Sequence, residues 1–173
     1  MPWPAMKKRA MWPWPAVMGT CEPSRTLGHR VINTAYNKKS LLASGGLDGA
    51  VILSEGRDGK QRSLTEHTAG VECLAFSPNG TRVASGSRDS KVRIHSTEGR
   101  LIRTYSGIGM EDEPVAGRLP AYVLNLLWQG EHLLASTSNG GVYRLDTASS
   151  SWERLERLES RLPITALCWH QGQ

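Results

Sequence analysis

His67 and Asp89 are the residues of this chain whose types most directly invite a chemical reading, because a carboxylate can orient and charge an imidazole for acid–base work. A similar pair, His29 and Asp48, stands earlier. Other combinations are poorer. Cys168 and His170 lie close together but lack the companions a metal site needs. No GxxxxGK phosphate loop, HExxH, GxSxG or CxxC occurs anywhere. The sequence therefore argues against an enzyme, and no catalytic, cofactor-binding or metal-binding residue is assigned. Two charged runs could instead meet partners. Lys7, Lys8 and Arg9 sit among Trp3, Trp12 and Trp14, a mixture of cations and stacking rings that suits phosphates and bases. Glu111, Asp112 and Glu113 form an acidic triplet that could face a partner protein.

The elements that must position His67 and Asp89 are short strands. Between them, Val71, Cys73 and Ala75 alternate with Glu72 and Leu74 up to Phe76, the period of a strand with one face more deeply buried. Ser77-Pro78-Asn79-Gly80 breaks that strand, since proline fixes φ and lacks a donor while Asn-Gly tolerates positive φ. A second strand, Arg82 to Ser87, is small and β-branched, as suits a segment packed between sheets. It ends at the polar turn Arg88-Asp89-Ser90. Lys91 to His95 and Arg100 to Tyr105 supply a third and a fourth, so the stretch reads as an antiparallel meander.

The same order of strands recurs. Val31–Tyr36 matches Val71–Phe76, Leu41–Gly46 matches Arg82–Ser87, Val51-Ile52-Leu53 matches Val92-Arg93-Ile94, and Asp48 precedes Asp89 by 41 residues. A period of about 40 to 45 residues with four strands in each unit is the signature of a propeller blade. A third copy runs from Val123 through His132–Ser136 to Val142-Tyr143-Arg144, with Asn139 in the aspartate position, 50 residues after Asp89. The extra residues, roughly nine, fall in the Gly- and Pro-bearing loop of residues 107–120 that carries the acidic triplet. Pro163 to His170 repeats the first strand once more. Residues 151–160 pose a conflict: Trp152, Leu155, Leu158 and Leu162 recur at helical spacing, yet the repeat register demands a fourth strand. The register, which draws on the whole chain, favours the strand.

Around this body the composition is uneven. Residues 1–26 are rich in Pro and Trp and basic, which excludes a regular helix and favours a disordered extended arm. Up to residue 30, Lys7, Lys8, Arg9, Arg25 and Arg30 face only Glu22, a surplus of four charges out of the net +5, so the remainder is nearly neutral. That basic start leaves an organelle-targeting reading open, although its prolines spoil both a signal peptide and an amphipathic transit helix. No apolar run approaches the length of a membrane span. Cys21, Cys73 and Cys168, odd in number and without metal-like spacing, suit reduced, buried thiols in the cytoplasm or nucleus.

Gly28-His29, Glu66-His67, Ala-Phe-Ser-Pro-Asn-Gly at 75–80 and Ala-Ser-Gly-Ser-Arg-Asp at 84–89 resemble the WD-repeat family of β-propellers, over residues 28–173. The resemblance implies an all-β fold of antiparallel four-stranded blades, here incomplete: about 28–65, 66–106 and 119–158, then the first strand of a fourth at 163–170. It further implies that His67, Ser85 and Asp89 form a buried hydrogen-bond network that ties loop to turn, with Ser44 and Asp48 as counterparts in the first unit. The tryptophan that closes this network in the family is replaced by Ser54, His95 and Leu145, and the third unit retains only Ser136. Because propellers need at least about four blades to close, three units imply an open array, self-association or capping by a partner, or a piece of a longer protein. The expected function is a scaffold that presents blade loops to other proteins in a larger complex, with no cofactor. Nucleic-acid contact through Lys7, Lys8 and Arg9 is the alternative.

Overall fold

The computed structural model describes residues 31–37, 40–56, 59–64, 67–109, 121–149, 151–157 and 162–168. Within them lie twelve strands and no helix: β1 (Val31–Tyr36), β2 (Leu41–Gly46), β3 (Val51–Glu55), β4 (Lys60–Ser63), β5 (Val71–Phe76), β6 (Arg82–Ser87), β7 (Val92–Ser96), β8 (Leu101–Tyr105), β9 (Val123–Gln129), β10 (His132–Thr137), β11 (Gly141–Asp146) and β12 (Trp152–Arg157). They make three four-stranded sheets, β1–β4, β5–β8 and β9–β12, each with its strands in chain order. Every pairing is antiparallel, so short turns suffice as connections. The conflict at 151–160 resolves as register requires, with β12 a strand whose Trp152 pairs with Leu145.

The three sheets share one register. Ser44 pairs with Ile52, Ser85 with Arg93, and Ala135 with Tyr143. Each inner strand also skips one residue near its start: pairing jumps from Val31 to Asn33, from Val71 to Cys73, and from Val123 to Asn125. Such a bulge turns the skipped residue out of the ladder. In the second sheet the freed Glu72 carbonyl then accepts a hydrogen bond from Asn33 Nδ2 of the first sheet, at 3.2 Å. Cys73 Sγ reaches the carbonyl of Val123, the residue just before the bulge of the third sheet. The device that shapes each inner strand thus also fastens neighbouring sheets.

Between the sheets lie two apolar layers. Ala43, Val51, Leu53, Leu64, Val71, Leu74 and Val83 fill the first, and Cys73, Ala84, Val92, Ile94, Val123, Leu126 and Leu133 belong to the second. Both faces of β6 are therefore covered, and Val83 to Ser87 is buried throughout. That explains its small residues. A Cβ on Gly86 would stand 2.6 Å from Val123 Cγ1, and one on Gly45 2.6 Å from Val71 Cγ1, so each inner strand's first valine seats against a glycine of the preceding sheet.

Residues 162–168 lie along the third sheet as a further inner strand would. Asn125 Nδ2 donates to Thr165 O at 2.5 Å, Ser136 Oγ to Ile164 O at 2.9 Å, and Ile164 N to Thr137 O at 3.4 Å. Asn125 here occupies the place of Asn33 and Cys73. Cys73 is buried, but Cys168 is exposed, contrary to the expectation of a buried thiol at both.

Candidate functional site

His67 stands in the loop before β5, Ser85 in the middle of β6, Asp89 in the β6–β7 turn and Arg93 in β7. The meander brings all four to one place. Both Asp89 carboxylate oxygens lie 3.0–3.1 Å from His67 Nδ1, and Ser85 Oγ lies 2.9 Å from Nε2. Asp89 further accepts bonds from Thr68 N, Lys91 N and, at 3.2 Å, Arg93 Nη1. The His67 and Asp89 side chains are 0% and 4% exposed. Burial lowers the imidazole pKa against the opposing pull of Asp89, leaving a neutral ring at neutral pH. Nδ1 faces Asp89 and Arg93 Nη1, while Nε2 faces the Ser85 hydroxyl. Burial would raise the Asp89 pKa, but the bonds from His67, Thr68 and Arg93 outweigh it and hold the carboxylate well below its ordinary range. Every functional atom of the ring is spent inside the protein, with no open side toward a substrate. This arrangement ties the loop before β5 to the β6–β7 turn.

The counterparts differ. In the first sheet Ser44 is half-buried on the outward face and Asp48 is exposed, its Oδ1 accepting Ala50 N at 3.1 Å; His29 lies outside the described residues. In the third sheet Ser136 does not hold the serine position. It pairs with Val142 as Gly86 pairs with Val92, and Ala135 stands where Ser85 does. Tyr143 and Leu145 replace Arg93 and His95, and Tyr143 packs edge-on against Trp152 with ring centroids 5.6 Å apart. The third sheet thus replaces the polar network with an apolar layer.

Of the remaining sequence candidates, Lys7, Lys8, Arg9, Glu111, Asp112 and Glu113 lie outside the described residues. Among the described residues no group of three or more His, Cys, Asp or Glu could hold a metal ion, and no helix is long and apolar enough to cross a membrane. A cleft of about 400 Å³ opens between the ends of β1 and β5, lined by Tyr36, Asn37, Phe76 and the Ser77–Gly80 turn.

Comparison with known proteins adds the family. The family model for the WD domain, G-beta repeat, matches residues 59–96, which span β4 to β7 and contain the whole His67–Ser85–Asp89–Arg93 network. Actin-interacting protein 1 of Drosophila melanogaster is 29% identical over 130 residues, covering 72% of this chain and 20% of that protein. WD repeat-containing protein 1 of Xenopus tropicalis is 27% identical over 116 residues, 65% of this chain and 18% of the other. Residues 59–96 match a WD repeat, and the chain is similar to WD-repeat proteins over most of its length. Its three sheets have the four-stranded form of propeller blades, and the crystal structure of the computationally designed Ika8 protein superposes on them with a TM-score of 0.64 at 23% identity, over 82% of this chain and 41% of that one. The chain spans about a fifth or less of the length of the curated relatives it matches.

Within these WD repeats, sequence reasoning missed Arg93 as a partner of Asp89. Strand alternation makes Arg93 a polar residue opposite Ile94, and nothing local tells that its face is covered by a neighbouring blade. It also missed the Asn33, Cys73 and Asn125 fasteners, whose shared place in three aligned inner strands was the available signal.

Proposed function

We propose that this chain is a non-enzymatic protein-interaction scaffold in which the outward face of the first blade receives a partner. One observation supports the reading. Tyr36 and Leu42, neighbours across β1 and β2, are 67% and 40% exposed. Their register equivalents in the second blade, Phe76 and Val83, pack into the layer against the first. A face built like two others that are covered is suited to being covered itself. Two relatives are named as actin-interacting proteins, in Drosophila melanogaster and Arabidopsis thaliana, which makes actin the first partner to test.

The experiment compares the wild-type chain with a Tyr36→Glu, Leu42→Lys double variant, measuring mass in solution and co-sedimentation with filamentous actin. The reading expects wild type to self-associate or to sediment with actin and the variant to do neither. Identical behaviour of the two chains overturns it. A second reading, that these blades are part of a longer WD-repeat protein without activity of their own, is favoured by the small share of each relative that the chain spans. It expects Tyr36 to be protected only in a longer polypeptide. A third, nucleic-acid contact through Lys7, Lys8 and Arg9, expects salt-sensitive binding to generic RNA.

A further inference from the structure

His95, next to last in β7, lies directly opposite Val83, and Val83 belongs to the apolar layer between the first and second blades. The His95 ring is 0% exposed, and neither Nδ1 nor Nε2 has a hydrogen-bond partner. A neutral imidazole carries one donor and one acceptor, so burial leaves both unsatisfied. Protonation would make matters worse, because the surrounding groups offer no compensation. Arg93 shares its face of β7 and His67 faces it from the loop before β5, both acting against a positive charge. The carboxylate of Asp89 is already shared among His67, Arg93 and Thr68. The first blade presents Ala43, Gly45, Val51, Leu53 and Leu64 to this layer, none of which titrates. At the rim, Arg62 is held by Thr97 O and by Glu55. On β8, Leu101 lies opposite His95, and Arg103 turns away to Thr147 O in the third blade.

We propose that His95 is an acid-sensitive latch, whose protonation loosens the first blade from the second while the second and third remain packed. The sign follows from linkage. Burial, then the charges of His67 and Arg93, bring the folded-state pKa down to about 4 from the ordinary 6.5. The latch is therefore closed above pH 6.5, and its hold weakens as pH falls from there toward 4, where the opened state binds a proton that the closed one refuses. At pH 5 the closed-to-open ratio should drop by about tenfold or more.

Hydrogen exchange of the full chain at pH 7.5 and pH 5.0, corrected for intrinsic rates, reads this directly in wild type, His95→Phe and His95→Gln. The glutamine variant keeps a polar side chain that does not titrate, and it serves if the phenylalanine variant misfolds. The expected result is protection of β2 and β3 that falls about tenfold or more further in wild type at pH 5.0 than in the variants, where of the two buried histidines only His67 still titrates, with β10 and β11 unchanged throughout. Equal loss in wild type and variants, or loss spread evenly over three blades, overturns the proposal. A ring titration of His95 by NMR with a midpoint at or above 6.5 overturns it too.

Discussion

At the scale of single residues, the decisive contrast lies between two buried histidines of one blade. His67 has a partner for each ring nitrogen, whereas His95 has none. The pairing of His67 with Asp89 was legible in the sequence, because a histidine before one strand and an aspartate in a turn two strands later recur at a fixed period. The burial of Arg93 and the isolation of His95 were not, since both depend on the neighbouring blade that covers their face. Asp89→Asn should destabilise the fold by about 3 kcal/mol, because it leaves Arg93 and the His67 ring without their carboxylate inside the protein. Urea denaturation at neutral pH measures it. Asp89 also sets a limit at low pH: its pKa is depressed in the folded state, so its stabilisation is complete above the ordinary carboxylate range and is lost progressively as pH falls from there through the depressed folded-state value. In Asp89→Asn that low-pH portion of the stability profile should flatten.

At the scale of elements, strand order was readable from periodicity and turn chemistry, and β12 shows why register outweighs a local pattern. Its helix-like spacing of Trp152, Leu155 and Leu158 is a property of ten residues, whereas pairing with β11 satisfies a whole edge of backbone groups. The serine assignment in the third blade failed for a related reason. Ser136 looked equivalent to Ser85 by residue type, but the bulge in β9 and the pairing with Val142 put it at the glycine position. That position is sterically demanding. Gly86→Val would drive its side chain into Cys73 Sγ and Val123 Cγ1, both 2.6 Å from the first added carbon, and should cost about 1–3 kcal/mol. The third blade already carries a side chain there. Ser136 faces residues 162–168 and turns its hydroxyl to Ile164 O, so Ser136→Val should have a milder effect. Thermal melts of the two variants side by side test the difference.

At the scale of the whole molecule, the fold class was fully legible, because a repeat of about 41 residues with four strands admits few alternatives. The way blades are fastened was not, since it depends on bulges that no residue type announces. The inner strands of adjacent blades touch, while the outer strands β4, β8 and β12 form the far edge of each sheet. The covered faces of the second blade and the open face of the first show the same register serving inside and out.

The strictly sequential strand order within each sheet also governs how the molecule would respond to tension. Chain order equals spatial order, so no blade is threaded through another, and a pull on the two ends can strip one unit without first disturbing the next. Each detached repeat of 41 residues should lengthen the chain by roughly 140 Å before folded dimensions are subtracted. Extension under an optical trap should therefore rise in discrete, similar steps. A single large rip would show instead that the two inter-blade layers yield as one.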